Sequence, residues 1–286
     1  MRADFSSDPQ LAPALFALLD QVFPGIAGGA RAIRALGAAW EDASTPFVQW
    51  ENDRILAHVG LIELPLVLAG RPVRAGSVHA VATDPTRRRQ GLYGTLMAEL
   101  LAYADTRYPT LVLTTEHPEY FTPFGFRHVE ECAFLPPCPP RTPTGTLRRL
   151  DLANAADLAR LHRLLETREP VSQVVGVGPE QAVFLFNEGR RPLWYCEELD
   201  CLLCLEVEGE LLRLFDVVAP RLPDWEQLWP RLPGTCRQVE LAFAPDRICP
   251  QAQAVPRLFE HDGPSWLMVR GDWAQEPFTL PRPART

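Results

Sequence analysis

The sequence contains no lysine, so all 28 of its basic residues are arginines. A nucleoside-triphosphate P-loop requires a lysine directly after its glycine turn, and this class of phosphate site is therefore excluded. The absence of lysine also means that the chain carries no primary amine on any side chain.

Long apolar runs are also missing. No stretch of about eighteen apolar residues occurs, and residues 1–9 lack the apolar core of a secretory signal. With 286 residues, of which 47% are hydrophobic and 22% charged, the chain is long enough for two folded domains. We therefore expect a cytoplasmic protein without a membrane partner.

Cysteines are few, and the surface is not basic. Seven cysteines, an odd number spread over the chain, are typical of reduced thiols rather than of a disulfide framework. Cys201 and Cys204 lie three residues apart in a strand-like run, which directs them to opposite faces, so we expect no metal site. The net charge of −8 disfavours nucleic acid as a partner and suits a cationic substrate.

Residues 78–97 carry the most informative pattern. A strand-like run ends at Pro85, an arginine-rich turn leads to Gly91, and apolar residues resume at helical spacing from Leu92. The free backbone N–H groups of a helix's first turn attract anionic oxygens, and a glycine lets a ligand approach the backbone. The glycines lack the Gly-x-Gly-x-x-Gly spacing of a dinucleotide site. The pattern predicts a turn that binds a diphosphate.

This turn resembles the acetyl-coenzyme A motif of the GNAT acyltransferase superfamily, Arg/Gln-x-x-Gly-x-Gly/Ala. Arg88, Gly91 and Tyr93 occupy its defined positions, and Tyr93 departs from the usual small residue. Residues 111–126 resemble the strand, short helix and glycine turn that close the cofactor cleft in the same superfamily. The resemblance implies an N-acetyltransferase that uses acetyl-coenzyme A.

The resemblance also implies an α+β fold, similar to an α/β/α sandwich, around a mixed and mostly antiparallel central sheet. We expect this GNAT domain to cover residues 1–135, followed by a proline-rich linker at 136–145. A degenerate GNAT-like domain would occupy residues 146–286, because the order of elements begins again there without an Arg-x-x-Gly loop. Such a tandem arrangement resembles the Eis-like bacterial acetyltransferases.

By the same resemblance, two groups of residues would bind the coenzyme. Backbone groups of the strand before the turn would hold the pantetheine arm, and the Val81 N–H would also face the thioester carbonyl. The turn would hold the diphosphate, mostly through backbone N–H groups, with positive charge added by its arginines. The strand residues are Val81, Ala82 and Thr83, and the turn residues are Arg88, Arg89, Gln90, Gly91, Tyr93, Gly94 and Thr95.

Three residues are candidates for acid–base catalysis. His79 lies two residues before Val81, so on a regular strand it faces the same side and could deprotonate an ammonium group. A histidine in an apolar strand is also often a packed core residue, and Glu116 is the alternative base. In the superfamily a tyrosine four residues before a glycine protonates the thiolate, but here Phe121 stands there and Tyr120 lies one place earlier.

The expected reaction is the transfer of an acetyl group to a primary amine of a small molecule, by direct attack in a ternary complex. Two alternatives stay open. One is an acyl-coenzyme A-binding regulatory or scaffold protein with little turnover, because Phe121 cannot donate a proton. The other is an acetyltransferase that acts on a protein amine. The sequence does not determine the acceptor, and it leaves open whether the chain forms a homo-oligomer.

Overall fold

The computed structural model describes residues 1–259 and 264–286, which form two seven-stranded sheets with helices around them. The helices are α1 (Leu11–Val22), α2 (Ile26–Ala35), α3 (Trp40–Ala43), α4 (Leu92–Ala104), α5 (Ala155–Thr167), α6 (Ala182–Glu188) and α7 (Trp225–Leu228). The strands are β1 (Ser44–Glu51), β2 (Arg54–Leu68), β3 (Arg71–Thr83), β4 (Thr110–Thr115), β5 (Arg127–His128), β6 (Cys132–Leu135), β7 (Leu147–Arg149), β8 (Val175–Val177), β9 (Leu193–Cys196), β10 (Cys201–Glu208), β11 (Leu211–Val218), β12 (Gln238–Leu241), β13 (Gln253–Pro256) and β14 (Trp266–Gly271).

The first sheet has the order β1-β2-β3-β4-β14-β5, and β8 pairs with β2. Its strands are antiparallel except for the parallel pair β3–β4. Alternate residues of each strand face opposite sides of the sheet. Phe47 accordingly packs into the cluster beneath α4, and Val48 into the cluster beneath α1. Helices thus cover both faces, and the predicted α+β fold with a mixed, mostly antiparallel sheet is confirmed.

The second sheet repeats the plan of the first. Its order is β13-β6-β12-β11-β10-β9-β7, again with a single parallel pair, β11–β12. In this repeat β10 corresponds to β2, β11 to β3 and β12 to β4. The two sheets therefore agree with a tandem of GNAT-like units.

The two halves exchange a strand, which departs from the predicted boundaries. β14, from the end of the chain, lies between β4 and β5 of the first sheet. β6 lies between β12 and β13 of the second sheet, although it precedes the linker. β5 and β6 thus follow each other closely in the sequence but belong to different sheets. The limits 1–135 and 146–286 divide the sequence, but each sheet contains strands from both parts.

One apolar cluster joins the two halves. Leu64 and Val112 of the first sheet belong to the same buried cluster as Leu203 and Leu214 of the second. The hydrophobic effect therefore stabilises both sheets together rather than each domain alone.

The proline-rich segment 136–145 is packed against the second half. The indole N–H groups of Trp225 and Trp229 donate to the carbonyls of Pro137 and Pro139, at 2.7 and 3.0 Å. The guanidinium of Arg141 lies 3.9 Å from the centre of the Trp229 ring. Proline has no N–H to donate, but its carbonyl can accept a hydrogen bond. These contacts hold segment 136–145 against the second half, so it is not a free linker.

α1 shows why the helices form where they do. Leu11, Leu15, Leu18 and Leu19 recur at helical spacing and are at most 3% exposed, which buries one face of α1 against the sheet. In the part of the chain that the structure describes, no helix combines the length and the apolar character needed to cross a bilayer.

Candidate active site

The central feature of the site is the gap that opens between β3 and β4. Their parallel pairing covers Ala75–Ser77 and Thr110–Val112 and then stops. Beyond this point β3 continues to Thr83 with its edge no longer paired to β4. An exposed strand edge offers backbone N–H and C=O groups to an extended ligand.

Thr286 lies at the closed end of this gap and links its two sides. Its hydroxyl lies 2.5 Å from Ser77 Oγ, and its carbonyl oxygen accepts from Thr114 Oγ1 at 2.6 Å. Two buried ion pairs anchor the segment that brings Thr286 there: Arg282 with Glu188 at 2.7 Å, and Arg285 with Glu131 at 2.8 Å. No local pattern in the sequence predicts this long-range contact.

A β-bulge in β3 changes the predicted direction of His79. The register between β2 and β3 skips Ala80 and Val81, and Ala80 has a φ of 48°, the left-handed region. Val81 therefore packs into the cluster beneath α4, whereas the ring of His79 lies 4.8 Å from that of Trp40, on the side of α1. The prediction that His79 and Val81 face the same side is wrong, because it assumed a regular strand.

His79 lies in a closed, apolar surrounding. Its side chain is buried, and its Nε2 atom lies 2.9 Å from Ser44 Oγ. Burial, together with the neighbouring His58, lowers the pKa of His79 well below its usual value. Gly60 makes room for the ring, since a Cβ there would overlap the imidazole. A neutral, packed imidazole that is bonded to Ser44 matches the core interpretation better than the catalytic one.

The N-terminus of α4 is open. Gly91 precedes the helix with a φ of 80°, which glycine adopts without strain, and no side chain of residues 1–259 or 264–286 caps the helix. A Cβ on Gly91 or Gly94 would meet no heavy atom of the described chain within 4 Å. The first N–H groups of α4 therefore face unobstructed space, as an anion site requires.

Asp84 fixes the turn that leads to this helix. Its carboxylate accepts from the backbone N–H and the hydroxyl of Thr86, at 2.9 and 2.7 Å. These bonds, and after them the nearby Arg54 guanidinium, hold the pKa of the Asp84 carboxyl below its usual value. The turn thus depends on a charged aspartate that the sequence analysis did not single out.

The arginines of the turn differ in their partners. Arg87 forms an ion pair with Glu51. Arg88, Arg89 and Gln90 are exposed, and within the described ranges neither Arg88 nor Arg89 forms an ion pair. These two arginines are therefore available to an incoming anion.

Tyr93, at the motif position that is usually small, turns away from the open end of α4. Its hydroxyl donates to the backbone carbonyl of Tyr120 at 2.9 Å, and its ring packs edge-on against Phe121 and Phe124. Burial raises the pKa of the Tyr93 hydroxyl. The Tyr93 side chain therefore connects α4 to the turns at residues 118–124. The group of Tyr93 that can bind an anion is its backbone N–H.

The two other catalytic candidates lie on the surface. Tyr120 is 55% exposed and stacks on His117, with 4.9 Å between the ring centres. Phe121, by contrast, is buried. Glu116 is exposed, one residue beyond the end of β4. The structure thus brings the predicted cofactor residues together along one edge, but it does not gather His79, Tyr120 and Glu116 around a common point.

The helix of the second half that corresponds to α4 is α7, and its N-terminus is capped by side chains. Asp224 accepts from the N–H of Gln227 at 2.8 Å, and the Gln227 side chain accepts from the N–H of Asp224 at 3.2 Å. This capping box occupies N–H groups that α4 leaves open. The parallel pairing of β11 with β12 is also longer than that of β3 with β4. Just beyond β12, the N–H of Ala242 still donates to the carbonyl of Leu214 at 2.8 Å.

Two cavities lie elsewhere in the described chain. One, of about 430 Å³, lies between α1 and α2, and the other, of about 400 Å³, lies against the second sheet beside Arg282. No residue from 78 to 95 lines either of them. The open end of α4 and the edge of β3 therefore lie outside both of these cavities.

Comparison with known proteins agrees with this geometry. Residues 10–129 match the family model described as an acetyltransferase (GNAT) domain. No protein with a curated description matches the sequence. The fold resembles a probable N-acyltransferase from Enterococcus faecalis, with 13% identity and a TM-score of 0.58 over 94% of this chain and 71% of that one.

Two further solved structures have the same fold. Eis1 from Mycobacterium abscessus has 14% identity and a TM-score of 0.51 over 84% of this chain and 70% of its own. A putative acetyltransferase from Pyrococcus horikoshii has 11% identity and a TM-score of 0.50, over 100% of this chain and 95% of that one. These similarities span both halves of the chain and concern its fold. The match to the GNAT acetyltransferase model is confined to residues 10–129, whereas the similarity in fold extends over the whole of this chain.

Proposed function

We propose that this chain is an acetyl-coenzyme A-dependent N-acetyltransferase whose acceptor is a primary amine of a small molecule. The observation that carries the proposal is the open N-terminus of α4 beside the unpaired edge of β3. A nucleotide diphosphate and an extended pantetheine arm need these two features next to each other.

The residues present fit the coenzyme. The N–H groups of Leu92, Tyr93 and Gly94 would bind the diphosphate, with Arg88 and Arg89 adding positive charge. Residues 81–83 would bind the pantetheine arm through their backbone. The coenzyme supplies the acetyl group as a thioester. A preorganised N–H such as that of Val81, directed at the thioester oxygen, typically contributes about 3 kcal/mol to the transition state.

The acceptor amine must lose a proton before it attacks the thioester in a ternary complex. The buried His79 is bonded to Ser44, so the exposed Glu116 is the better placed of the two candidate bases. A thiolate is a weak base, with a thiol pKa near 8.5, and its departure does not require a strong acid. The net charge of −8 and the exposed carboxylate of Glu116 support a cationic acceptor.

A second candidate function is an acyl-coenzyme A-binding regulatory protein with little turnover. Tyr120 lies on the surface, and the buried residue beside it, Phe121, has no hydroxyl. Neither residue therefore provides a buried proton donor for the thiolate, which favours this second function. The same coenzyme site serves both functions, so binding alone does not separate them.

The experiment combines binding with turnover. Calorimetry measures acetyl-coenzyme A binding, and release of free thiol is followed with a panel of small amines and with a peptide that carries a free N-terminus. We expect binding and amine-dependent thiol release. Binding without release under any amine would favour the regulatory protein, release with the peptide alone would favour a protein acetyltransferase, and absence of binding would refute all three.

A further inference from the structure

A second buried histidine, His58, contacts the bulge in β3. It lies on β2, is fully buried, and its Nδ1 atom lies 2.7 Å from the backbone carbonyl oxygen of Ala80. A carbonyl oxygen can only accept, so Nδ1 carries the proton and donates it. His58 therefore holds one particular backbone group of the neighbouring strand.

Ala80 is a residue that needs such support. It occupies the left-handed region with a φ of 48°, at a bulge position where glycine is usual. This conformation costs an alanine conformational free energy, because its Cβ approaches the following carbonyl oxygen. The hydrogen bond from His58 favours the strained backbone over a regular strand.

Packing alone does not explain a histidine at this position. Its Nε2 atom is buried and has no hydrogen-bond partner among residues 1–259 and 264–286. A buried acceptor without a partner costs stability that an aliphatic side chain would not lose. The imidazole is thus explained by the bond that it makes to Ala80, not by the space that it fills.

We infer that His58 is a positioning residue for acetyl transfer, because by holding the Ala80 carbonyl it fixes the bulge that presents the Val81 N–H to the thioester oxygen. Neither Ala80 nor Val81 has a register partner on β2, so this turn of the backbone depends on the contact from His58. The inference rests on the proposed function, since it concerns the same coenzyme site.

His58 and His79 have separate tasks. Their rings are 6.2 Å apart and nearly perpendicular, and His79 is bonded to Ser44 rather than to the bulge. A substitution of His58 therefore removes the support of Ala80 while it leaves the Ser44 contact of His79 in place.

The test uses two variants of His58 in the full chain. His58→Leu removes the donor, whereas the amide N–H of His58→Asn can replace Nδ1. We expect His58→Leu to lower kcat about 10-fold to 100-fold, since displacement of an oxyanion donor impairs the transition state, with the KM for acetyl-coenzyme A within about twofold. His58→Asn should recover most of kcat. The double variant His58→Leu with Ala80→Gly should also recover it, because glycine adopts the left-handed conformation without help.

A matched control separates positioning from general loss of stability. His162 also lies within hydrogen-bond distance of a backbone carbonyl, that of Leu36 at 2.8 Å, outside the cleft. His162→Leu should lower the melting temperature but leave kcat unchanged. An unchanged kcat in His58→Leu, or a loss that neither His58→Asn nor Ala80→Gly repairs, would overturn the inference.

A second readout needs no turnover. In protein labelled with ¹⁵N-valine, the Val81 amide resonance should move in His58→Leu and return in His58→Asn. An unmoved resonance would overturn the role of His58 even in an active enzyme. A resonance that moves in a protein that transfers no acetyl group would support the contact to the bulge while refuting the proposed function.

Discussion

At the residue scale, Tyr120 and Phe121 are neighbours with opposite surroundings. Tyr120 is 55% exposed, and Phe121 is 6% exposed and lies among the aromatic side chains beneath α4. The hydroxyl of Tyr93 holds the backbone between them, at the carbonyl of Tyr120. This contact fixes which of the two side chains points inward, and it selects the one without a proton to donate.

Tyr120→Phe should therefore leave kcat within about twofold of the wild-type value. A general acid contributes about 10²-fold to 10⁴-fold, so the two outcomes are easily separated by steady-state kinetics. A loss of this larger size would show that Tyr120 moves into the cleft when substrate binds. Tyr93→Phe is the informative companion variant, because it removes the bond that holds the Tyr120 carbonyl.

His58 also makes stability depend on pH. Burial lowers its pKa to about 4 in the folded protein, against about 6.5 in the unfolded chain. Below about pH 6.5 the unfolded chain takes up a proton that the folded protein does not. The free energy of unfolding therefore decreases as the pH is lowered, by up to about 1.4 kcal/mol per pH unit for this residue. The contribution is complete above the unfolded value and is lost progressively toward pH 4.

Urea unfolding between about pH 4.5 and 7.5 measures this slope. The free energy of unfolding of His58→Asn should fall less steeply with decreasing pH than that of the wild type. Equal slopes in the wild type and His58→Asn would contradict the buried, neutral state of His58.

At the element scale, α4 and α7 occupy corresponding positions in the two halves but differ at their N-termini. α4 begins at a left-handed glycine without a capping side chain, and α7 begins with a capping box. The sequence predicts this difference, because Gly91 and Asp224 are local signals whose effect does not depend on distant residues. The open turn and its charged residues could therefore be found without coordinates.

The arginines before α4 give a graded test of this turn. Arg88→Ala and Arg89→Ala should each weaken acetyl-coenzyme A binding about twofold to fivefold, the size expected for an exposed charge pair. Arg87→Ala should have little effect, because Arg87 is already paired with Glu51. Calorimetry at low salt measures the difference, which should shrink at high salt. Equal losses in all three variants would contradict the distinction between paired and free arginines.

At the scale of the whole molecule, the strand exchange makes the two halves interdependent. Leu267, Met268 and Val269 of β14 are at most 1% exposed in the first sheet, although they lie near the end of the chain. Burying three such side chains contributes about 5–9 kcal/mol, which is comparable to the total stability of a typical domain. The first half therefore depends on a strand from the second.

A fragment of residues 1–145 should not unfold cooperatively on heating, because it lacks β14. The full chain should unfold in one transition, and addition of a 146–286 fragment should restore structure to 1–145. Circular dichroism and calorimetry follow these transitions. A cooperative transition of 1–145 alone would contradict the account of the exchanged strand.

The sequence predicts the elements better than their partners. β6 and β14 are both short apolar strands, and nothing in their composition indicates which sheet each one joins. The bulge at Ala80 and the contact of Thr286 with Ser77 likewise depend on residues far apart in the chain. Periodicity reports local structure, so it located the turn before α4 but assigned His79 to the wrong side of β3.

The most direct test of the central claim is a substitution at Gly94. This residue lies in the first helical turn of α4 with free space around it, so a side chain fits without backbone strain. Gly94→Glu places a carboxylate beside the proposed diphosphate and is expected to stabilise the helix, because anions are favourable there. Gly94→Gln has the same size without the charge.

We predict that Gly94→Glu weakens acetyl-coenzyme A binding at least tenfold more than Gly94→Gln in calorimetry, while its melting temperature stays at or above that of the wild type. Equal affinities of the two variants would contradict a diphosphate at the open end of α4, and with it the proposed function.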